Sequence, residues 1–470
     1  MTIRTLRARL EAASSVPPEW RGVRRVIPRL LDVFERRYPG SPGRNITVGF
    51  VPGRIEVLGR HTDYAGGRSL VCAIDRGFLC VASANRRGTI RMTEESREFP
   101  AAEFPLDASI DPPVGHWSNY PMTMAGRLVG NFGRSARLAG VDVAFASTLP
   151  VGGGMSGSSA LMMMTYLAIA EANALHLRPA FRREIRDGID LATYLACCEN
   201  GLSFRGLVGR RGVGTFGGSE DHAAILNGRA GRLSLFQYAP TVFRAELAWP
   251  ESHVFALAFS GVRAEKTRKA LERYNLAARR AREAAAACGT AWGMRFANLR
   301  EVVDHAVAEH GRGAAAAIAR TLAGADRRLD LPGRVRQFLL EDRTHIPAAV
   351  AALAGGDVTG FAKIVTASHD ASRRYLRNIA PAVNVLAREA LRLRAEGASG
   401  FGAGFGGSLL AVVPAAGAAE FIRRWRSSFE ASHPAEAAEA EFFAARPSDG
   451  IRIWDDEGSV RYVDRVFAQM

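Results

Sequence analysis

An apolar strand, a glycine-rich turn and a long helix follow one another at residues 141–176, and this unit constrains the fold most strongly. VDVAFASTL at 141–149 is strand-like, whereas SALMMMTYLAIAEANALH at 159–176 has high helix propensity and no glycine or proline. Consecutive glycines let backbone N–H groups approach an anion, and a helix N-terminus adds about half a positive charge. The turn therefore predicts a polyphosphate-binding loop, although a capped helix after a tight turn remains an alternative. Its candidate ligands are Gly152, Gly153, Gly154, Ser156, Gly157, Ser158 and Ser159.

Three common phosphate-binding arrangements do not fit this chain. A P-loop needs a lysine after a glycine, and none of the three lysines, Lys266, Lys269 and Lys363, follows one. Lys363 also lacks the partner motifs of a protein-kinase lysine. A second glycine cluster at 402–407 matches GxGxxG, but it follows a predicted helix and precedes a strand, the reverse of the dinucleotide-binding order. The remaining option is a kinase whose phosphate loop uses serine instead of lysine.

Charge and cysteine content exclude further classes. The 62 basic residues exceed the 47 acidic ones by 15, but all except three are arginines, spread along the chain without a basic run of five. Such diffuse charge favours composition bias over a nucleic-acid surface, so no nucleic-acid partner is expected. The five cysteines lack CxxC spacing, which argues against structural zinc and a disulfide framework. With no signal-peptide core and no run of about 18 apolar residues, we expect a cytoplasmic protein without a membrane partner.

Hydrophobic periodicity predicts a mixed α+β chain. Helices are expected within 1–40 and through most of 263–396, a loop at 201–231, and an alanine-rich helix at HPAEAAEAEFFAA. Pro240 and Pro250 mark a soft boundary, which predicts domains at 1–245 and 246–470. Further strands are expected at ITVGFV, RIEVLG, SLVCAID, FLCVASA, TIRMT, LSLFQY, HVFALAFSG, LLAVVP, IRIW and VRYVD.

Three segments in order resemble the galactokinase branch of the GHMP kinases (galactokinase, homoserine kinase, mevalonate kinase, phosphomevalonate kinase). They are PGRIEVLGRHTDYAGG at 52–67, LPVGGGMSGSSA at 149–160 and FGAGFGGS at 401–408. Weaker similarities lie at HWSNY, ERYN and SHDASRRYLRNIAP. The resemblance implies a two-domain α+β fold with its active site in the cleft between domains. It also implies ATP-dependent phosphorylation of the anomeric hydroxyl of a monosaccharide, with Mg²⁺ as cofactor and a sugar and ATP as the small-molecule partners.

The resemblance assigns roles to the catalytic residues. Asp221 is the expected base, with Glu220 as a competing candidate, and Arg54 is expected to pair with Asp221 and keep its pKa low. Glu199 matches the acidic magnesium ligand and Ser158 its hydroxyl partner, and Trp117 joins the glycine loop in binding ATP. The 22 residues between Glu199 and Asp221 exceed the family's usual spacing by about ten, which indicates an arginine-bearing insertion around 204–212.

The sugar signature departs from the family at one position. By resemblance, His61, Asp63 and Tyr274 belong to the sugar site, but Arg60 stands where galactokinases have a glutamate that binds a distal hydroxyl. A guanidinium has no acceptor, so it predicts an anionic substrate such as a uronic acid or sugar phosphate. The alternative is that Arg60 turns away to pair with Glu220 or another acid, and galactose is still used.

Other departures and alternatives remain open. Gly157 replaces the middle serine of the phosphate loop, where ATP binding should survive, and Phe401 replaces a small hydroxylated residue in the third motif. The alternative to a kinase is a non-catalytic protein of the same fold that binds a sugar or a nucleotide as a sensor. We expect a monomer or weak homodimer.

Overall fold

The protein is seen here in a computed structural model. It describes residues 1–11, 26–40, 44–96, 98–113, 115–134, 136–264, 268–326, 328–454 and 458–470. Part of the predicted N-terminal helical stretch, including Pro17 and Pro18, lies outside these residues. No helix among the described residues is both long and apolar enough to cross a membrane.

A ten-stranded sheet forms the larger of two layers. Its main path runs β14-β13-β1-β2-β5-β3-β4, while β6 and β12 each pair with β2 and β7 pairs with β6. The strands are β1 (Thr47–Leu58), β2 (Arg68–Asn85), β3 (Thr89–Glu94), β4 (Ala102–Pro105), β5 (Gly140–Ser147), β6 (Arg232–Gln237), β7 (Val242–Ala248), β12 (Pro447–Ser448), β13 (Arg452–Trp454) and β14 (Ser459–Arg461).

Strand β1 runs straight through Pro52 and Gly53, where the sequence predicts two separate runs. The prediction of two strands was wrong because Pro52 sits opposite Gly77 of β2 at a register shift, a position where a strand tolerates proline. A Cβ on Gly77 would lie 2.2 Å from the Val51 carbonyl oxygen, so glycine lets the two strands approach. The same pairing joins the runs SLVCAID and FLCVASA into the single strand β2.

Helices cover both faces of the large sheet. On one face lie α3 (Asn119–Phe132), α4 (Gly157–Asn173), α5 (Pro179–Glu184), α6 (Gly188–Asn200) and α7 (Glu220–Asn227). On the other lie α1 (Ile3–Glu11) and α2 (Val26–Arg37), whose Leu6, Ile27 and Phe34 pack against Val48 and Phe50. Met162, Met163 and Met164 are fully buried in the main core, which confirms the packing interpretation of the methionine run. Helix α7 is a correction, because 201–231 was expected to be loop throughout.

A four-stranded sheet, in the order β11-β8-β10-β9, forms the second layer. Its strands are β8 (His253–Phe259), β9 (Gly397–Gly400), β10 (Ser408–Pro414) and β11 (Glu441–Ala445). The helix expected at HPAEAAEAEFFAA is wrong beyond Pro434–Ala437, since Glu441–Ala445 pairs with β8 and buries Phe443. Pairing at a sheet edge there overrides the helix propensity of alanine. Strands β4, β7, β9 and β12 were not predicted.

Helices fill most of 268–392, as expected. They are α8 (Arg268–Trp292), α9 (Leu299–His310), α10 (Ala314–Thr321), α11 (Leu331–Leu339), α12 (Ile346–Ala354), α13 (Val358–Ala371) and α14 (Pro381–Arg392), followed later by α15 (Ala418–Ser432) and α16 (Pro434–Ala437). Two π-helical turns, Leu340–His345 and Ser372–Leu376, interrupt the series.

The end of the chain returns to the large sheet. Strand β12 pairs with β2, β13 pairs with β1, and β14 pairs with β13. The predicted strand VRYVD is extended only at its start and continues into α17 (Tyr462–Ala468). The division at 245/246 stays a prediction. The two sheets approach each other at the segments 52–67, 149–160 and 401–408, where Arg54 of β1 and Ser408 of β10 both bind the loop that contains Gly153 and Gly154.

Candidate active site

The segments 52–67, 149–160 and 401–408 meet at the loop before α4. Arg54 of β1 donates from Nη1 to the Gly154 carbonyl oxygen at 2.8 Å, and Ser408 Oγ of β10 donates to the Gly153 oxygen at 2.6 Å. The amide of Ala264 donates to the Gly152 oxygen at 2.8 Å. All three glycine carbonyls are therefore bound by protein donors, and the Gly153 amide donates to the Pro150 oxygen at 3.0 Å. The other amides of the loop and the N-terminus of α4 are suited to an anion.

The loop has a left-handed backbone at two of its glycines and at one serine. Gly152 and Gly154 have φ of 69° and 74°, and Ser156 shares this region at 59° as the residue that precedes α4. A non-glycine residue pays for that conformation, and such strain concentrates at binding sites. The loop thus delivers the N-terminus of a 17-residue helix, with its partial positive charge, to one point.

A cavity of about 700 Å³ opens beside the start of this loop. Pro150 and Val151 line it from the loop, Glu94 from β3, Glu441 from β11 and Arg263 from the segment that follows β8. Its volume is typical of small-molecule sites. Trp117, expected to contact ATP, is not among the lining residues. Its ring packs 5.8 Å from that of Phe99 and 6.2 Å from that of Phe145, centroid to centroid.

Arg54 also holds the expected base. Its Nε donates to Asp221 Oδ1 at 2.8 Å, so one guanidinium links the glycine loop to the first turn of α7. Burial acts to raise the pKa of Asp221, but the positive charge of Arg54 together with smaller contributions such as the Ser156 hydroxyl leaves the net pKa lowered. Burial likewise acts against the charge of Arg54, and Asp221, Glu220 and Glu56 overcome it to raise the pKa of the guanidinium. The Asp221 side chain keeps 32% exposure, whereas that of Arg54 keeps 5%.

A second carboxylate stands next to Asp221. Ser159 Oγ of α4 donates to Glu199 Oε2 at 2.8 Å and lies 3.4 Å from Asp221 Oδ2, and His222 Nε2 lies 3.3 Å from Glu199 Oε2. The structure therefore brings together α4, α6 and α7 at a set of hard oxygen donors. No cluster of three or more metal-ligating acids, cysteines or histidines occurs among the residues that the structure describes.

The expected sugar ligands surround the segment that leads into α7. Asp63 Oδ2 accepts from the Gly218 amide at 2.9 Å, and the Tyr274 ring lies 5.6 Å from that of His61. Asn275 binds the same segment twice, because it accepts from Phe216 N at 3.1 Å and donates to Gly214 O at 3.2 Å. Burial raises the pKa of Asp63 to about 6 despite the amides of Tyr64 and Gly218, which lower it.

His61 is a neutral, fixed ring. Burial lowers its pKa to about 3, although a hydrogen bond to the Ala403 oxygen acts against this shift. Nε2 lies 3.1 Å from that oxygen and Nδ1 lies 2.7 Å from Tyr64 Oη. The neutral ring therefore donates from Nε2 and accepts at Nδ1. Its bond to Ala403 links the segment 52–67 to the segment 401–408.

Arg60 pairs with an acid, as the alternative expectation had it, but the acid is Glu56 and not Glu220. Its Nε lies 3.4 Å from Glu56 Oε1 and its Nη2 lies 3.4 Å from Ser399 Oγ. The residue is 3% exposed, and its enclosed Nη1 has no hydrogen-bond partner among the described residues. Burial raises the pKa of Glu56, with Arg60 opposing it, and burial together with Glu56 raises that of Glu220.

Arg60→Met should destabilise the fold increasingly as pH rises. A folded-state pKa above the unfolded value means that stability falls with rising pH between the two values, from about 4.3 upward for a glutamate. Because Arg60 lowers the pKa of Glu56, its loss raises that pKa and widens the interval. Each further unit costs about 1.4 kcal/mol of unfolding free energy above the new pKa. Urea unfolding between pH 5 and 9 measures the difference, with the exposed Arg336→Met as control. Equal losses at both ends would show that Arg60 does not stabilise the Glu56 carboxylate.

The arginines of the insertion pair away from the site. Arg205 binds Asp190 through two bonds of 2.6 Å, and Arg211 lies 2.5 Å from Asp111. Sequence reasoning overlooked Glu56 and Asn275. The first had a visible signal, since RIEVLGR places one acid inside an otherwise apolar run between two arginines.

Three family models match the chain. "Galactokinase galactose-binding signature" covers residues 32–84, "GHMP kinases N terminal domain" covers 119–197 and "GHMP kinases C terminal" covers 349–431. A galactokinase from Mycobacterium bovis is 28% identical over 371 residues, which are 79% of this chain and 90% of that protein. A galactokinase from Roseiflexus sp. is 27% identical over 435 residues, 91% of this chain and 97% of that protein.

One solved structure with a similar fold is that of Lactococcus lactis galactokinase complexed with galactose. It matches with a TM-score of 0.73 at 20% identity, and the match covers 93% of this chain and 100% of that chain.

Proposed function

Because the chain belongs to the GHMP kinase family and carries its galactokinase signature, we propose that it is an ATP-dependent sugar 1-kinase. The observation that carries this proposal is the double contact of Arg54, which holds Asp221 Oδ1 and the Gly154 oxygen of the phosphate loop, each at 2.8 Å. A base and a phosphate cradle joined by one buried cation are what phosphoryl transfer to a hydroxyl requires.

The chemistry follows from the positions of these groups. Asp221 accepts the proton of the anomeric hydroxyl, whose oxygen forms a bond to the γ-phosphorus as the bond to the β-phosphate oxygen breaks. ADP leaves and a sugar 1-phosphate remains. The glycine-loop amides other than that of Gly153, with the N-terminus of α4, bind the phosphates, and the neighbouring 700 Å³ cavity holds the rest of the nucleotide.

Glu199, with the hydroxyls of Ser158 and Ser159, is suited to Mg²⁺. These are hard oxygen donors, and magnesium is typically held by one or two carboxylates together with phosphate oxygens. Bound there with ATP, the ion would neutralise charge that develops on the phosphates.

We propose an uncharged hexose of the galactose type as the acceptor. Glu56 and Ser399 bind Arg60 Nε and Nη2 at 3.4 Å each, and the unpaired Nη1 is enclosed, so the guanidinium offers no free face to a substrate carboxylate or phosphate. Asp63 and Tyr274 remain as polar groups for neutral hydroxyls.

ADP release from the purified protein tests this function. We expect turnover with ATP and Mg²⁺ on a panel of neutral and acidic sugars, with galactose or a close neutral relative preferred over galacturonate and sugar phosphates. A preference for an acidic sugar would contradict the neutral-hexose proposal and support the hypothesis that Arg60 binds an anionic group of the substrate. Binding of sugar or ATP with no turnover on any sugar would instead identify a sensor.

A further inference from the structure

Helix α11 and the π-helical turn after it contact the backbone of the turn that carries the candidate sugar ligands. Arg334 Nη2 donates to the His61 oxygen at 2.5 Å, and Gln337 Nε2 donates to the Arg60 oxygen at 3.0 Å. Glu341 Oε1 accepts from the Gly59 amide at 2.7 Å. The spacing of these three side chains places them on one face of the helix.

Asp342 completes the set at the other end of the turn. Its Oδ1 accepts from the Arg68 amide at 2.9 Å, so the four side chains bind residues 59, 60, 61 and 68. Arg334, Gln337, Glu341 and Asp342 each have 0% exposure. Glu341 and Asp342 both belong to the π-helical turn Leu340–His345, a geometry frequent at functional sites.

The turn needs external support. His61 has a φ of 57°, which a residue with a Cβ rarely adopts, and Gly59 has a φ of 108°. Inside the turn, Thr62 binds the Gly59 oxygen through its amide and its Oγ1, at 3.1 and 2.7 Å, and the Gly67 amide donates to the Thr62 oxygen at 2.9 Å. The carbonyls of Arg60 and His61 are instead bound from α11. Loss of the α11 bonds would therefore release the backbone that aims His61 and Asp63.

We propose that Arg334, Gln337, Glu341 and Asp342 are positioning residues that set sugar affinity by fixing the backbone of 59–68. The proposal rests on the proposed function, which makes this turn the sugar-binding element. Among the described contacts, none of the four side chains hydrogen-bonds to the glycine loop or to Asp221. Their loss should therefore affect the sugar and not ATP.

Steady-state kinetics on Arg334→Met test the proposal with the sugar that turns over fastest in the panel. We expect the sugar KM to rise about tenfold or more, the scale of a lost bond from a charged donor, while the ATP KM stays within about twofold. Arg334→Lys keeps one donor and should recover part of the loss. Val335→Ala, buried on the same helix without a bond to the turn, controls for stability and should lower Tm without changing the sugar KM.

Equal sugar KM values in Arg334→Met and Val335→Ala, or equal increases in both KM values of Arg334→Met, would overturn the proposal. If Arg334→Met does not fold, Gln337→Glu serves instead. It keeps an acceptor for Arg334 and replaces the donor to the Arg60 oxygen by a carboxylate oxygen, so the sugar KM should again rise selectively.

Hydrogen exchange separates this proposal from the proposed function. Amides of 59–65 should exchange faster in Arg334→Met than in Val335→Ala, with no substrate present. Unchanged exchange refutes the positioning role whatever the kinetics show. Absence of turnover in the wild type, with faster exchange in Arg334→Met, would refute only the kinase assignment.

Discussion

Replacing Asp221 by asparagine is expected to lower kcat by roughly 10²–10⁴-fold, the usual contribution of a general base. The affinities for sugar and ATP should stay within a few-fold of wild type. Asparagine keeps the shape of the side chain and an oxygen for Arg54 Nε, now 2.8 Å from Asp221 Oδ1, but cannot take up the proton of the sugar hydroxyl.

Glu220→Gln is the matched control for this experiment. Glu220 is adjacent in sequence and 4% exposed, and burial together with Glu56 raises its pKa, so it is the carboxyl less suited to act as a base. Its amide variant should retain kcat within about fivefold of wild type, because it mimics the protonated acid. A large loss in Glu220→Gln with little loss in Asp221→Asn would reverse the assignment. Loss of ATP binding in Asp221→Asn would make Asp221 structural.

Replacing Arg54 by methionine is expected to move the acid limb of the kcat/KM profile to higher pH by about 1–3 units, the effect of one adjacent opposite charge. The sign follows from the charges at Asp221, where burial raises the pKa and Arg54 is the largest of the contributions that lower it. The base must be ionised, so activity is lost as pH falls through its pKa. Without Arg54 that loss begins at a higher pH.

Arg54→Lys separates charge from geometry. A lysine retains the positive charge but not the planar fork that reaches Asp221 and the Gly154 oxygen together. We expect a nearly normal acid limb with a reduced kcat and a raised ATP KM. Coincident acid limbs in wild type and Arg54→Met, measured from pH 4 to 9, would contradict the account of Asp221.

The fold was predictable where the signal was local. The glycine loop could be read because strand, glycines and helix are contiguous, and the buried run Met162–Met164 fits a helix without polar interruption. Two features depend on partners distant in sequence. They are the pairing of β1 with β2 through Pro52 and the strand Glu441–Ala445 in an alanine-rich stretch. No local pattern contains that information.

The same distinction holds at the site. Motif residues such as Arg54 and Asp63 could be proposed from sequence. Glu56, four residues before Arg60, also had a local signal, whereas Ser399 meets Arg60 only through the packing of the two sheets. Arg334, Gln337 and Glu341 carried no signal either, since three polar residues on a helix usually indicate a solvated face and here they are fully buried.

Identification of the product tests the central claim most directly. ³¹P NMR of the reaction with ATP, Mg²⁺ and the preferred sugar should show a sugar 1-phosphate formed in equal amount to ADP, and Asp221→Asn should abolish most of it. Phosphate on another hydroxyl, free inorganic phosphate alone, or equal product from Asp221→Asn would contradict the account.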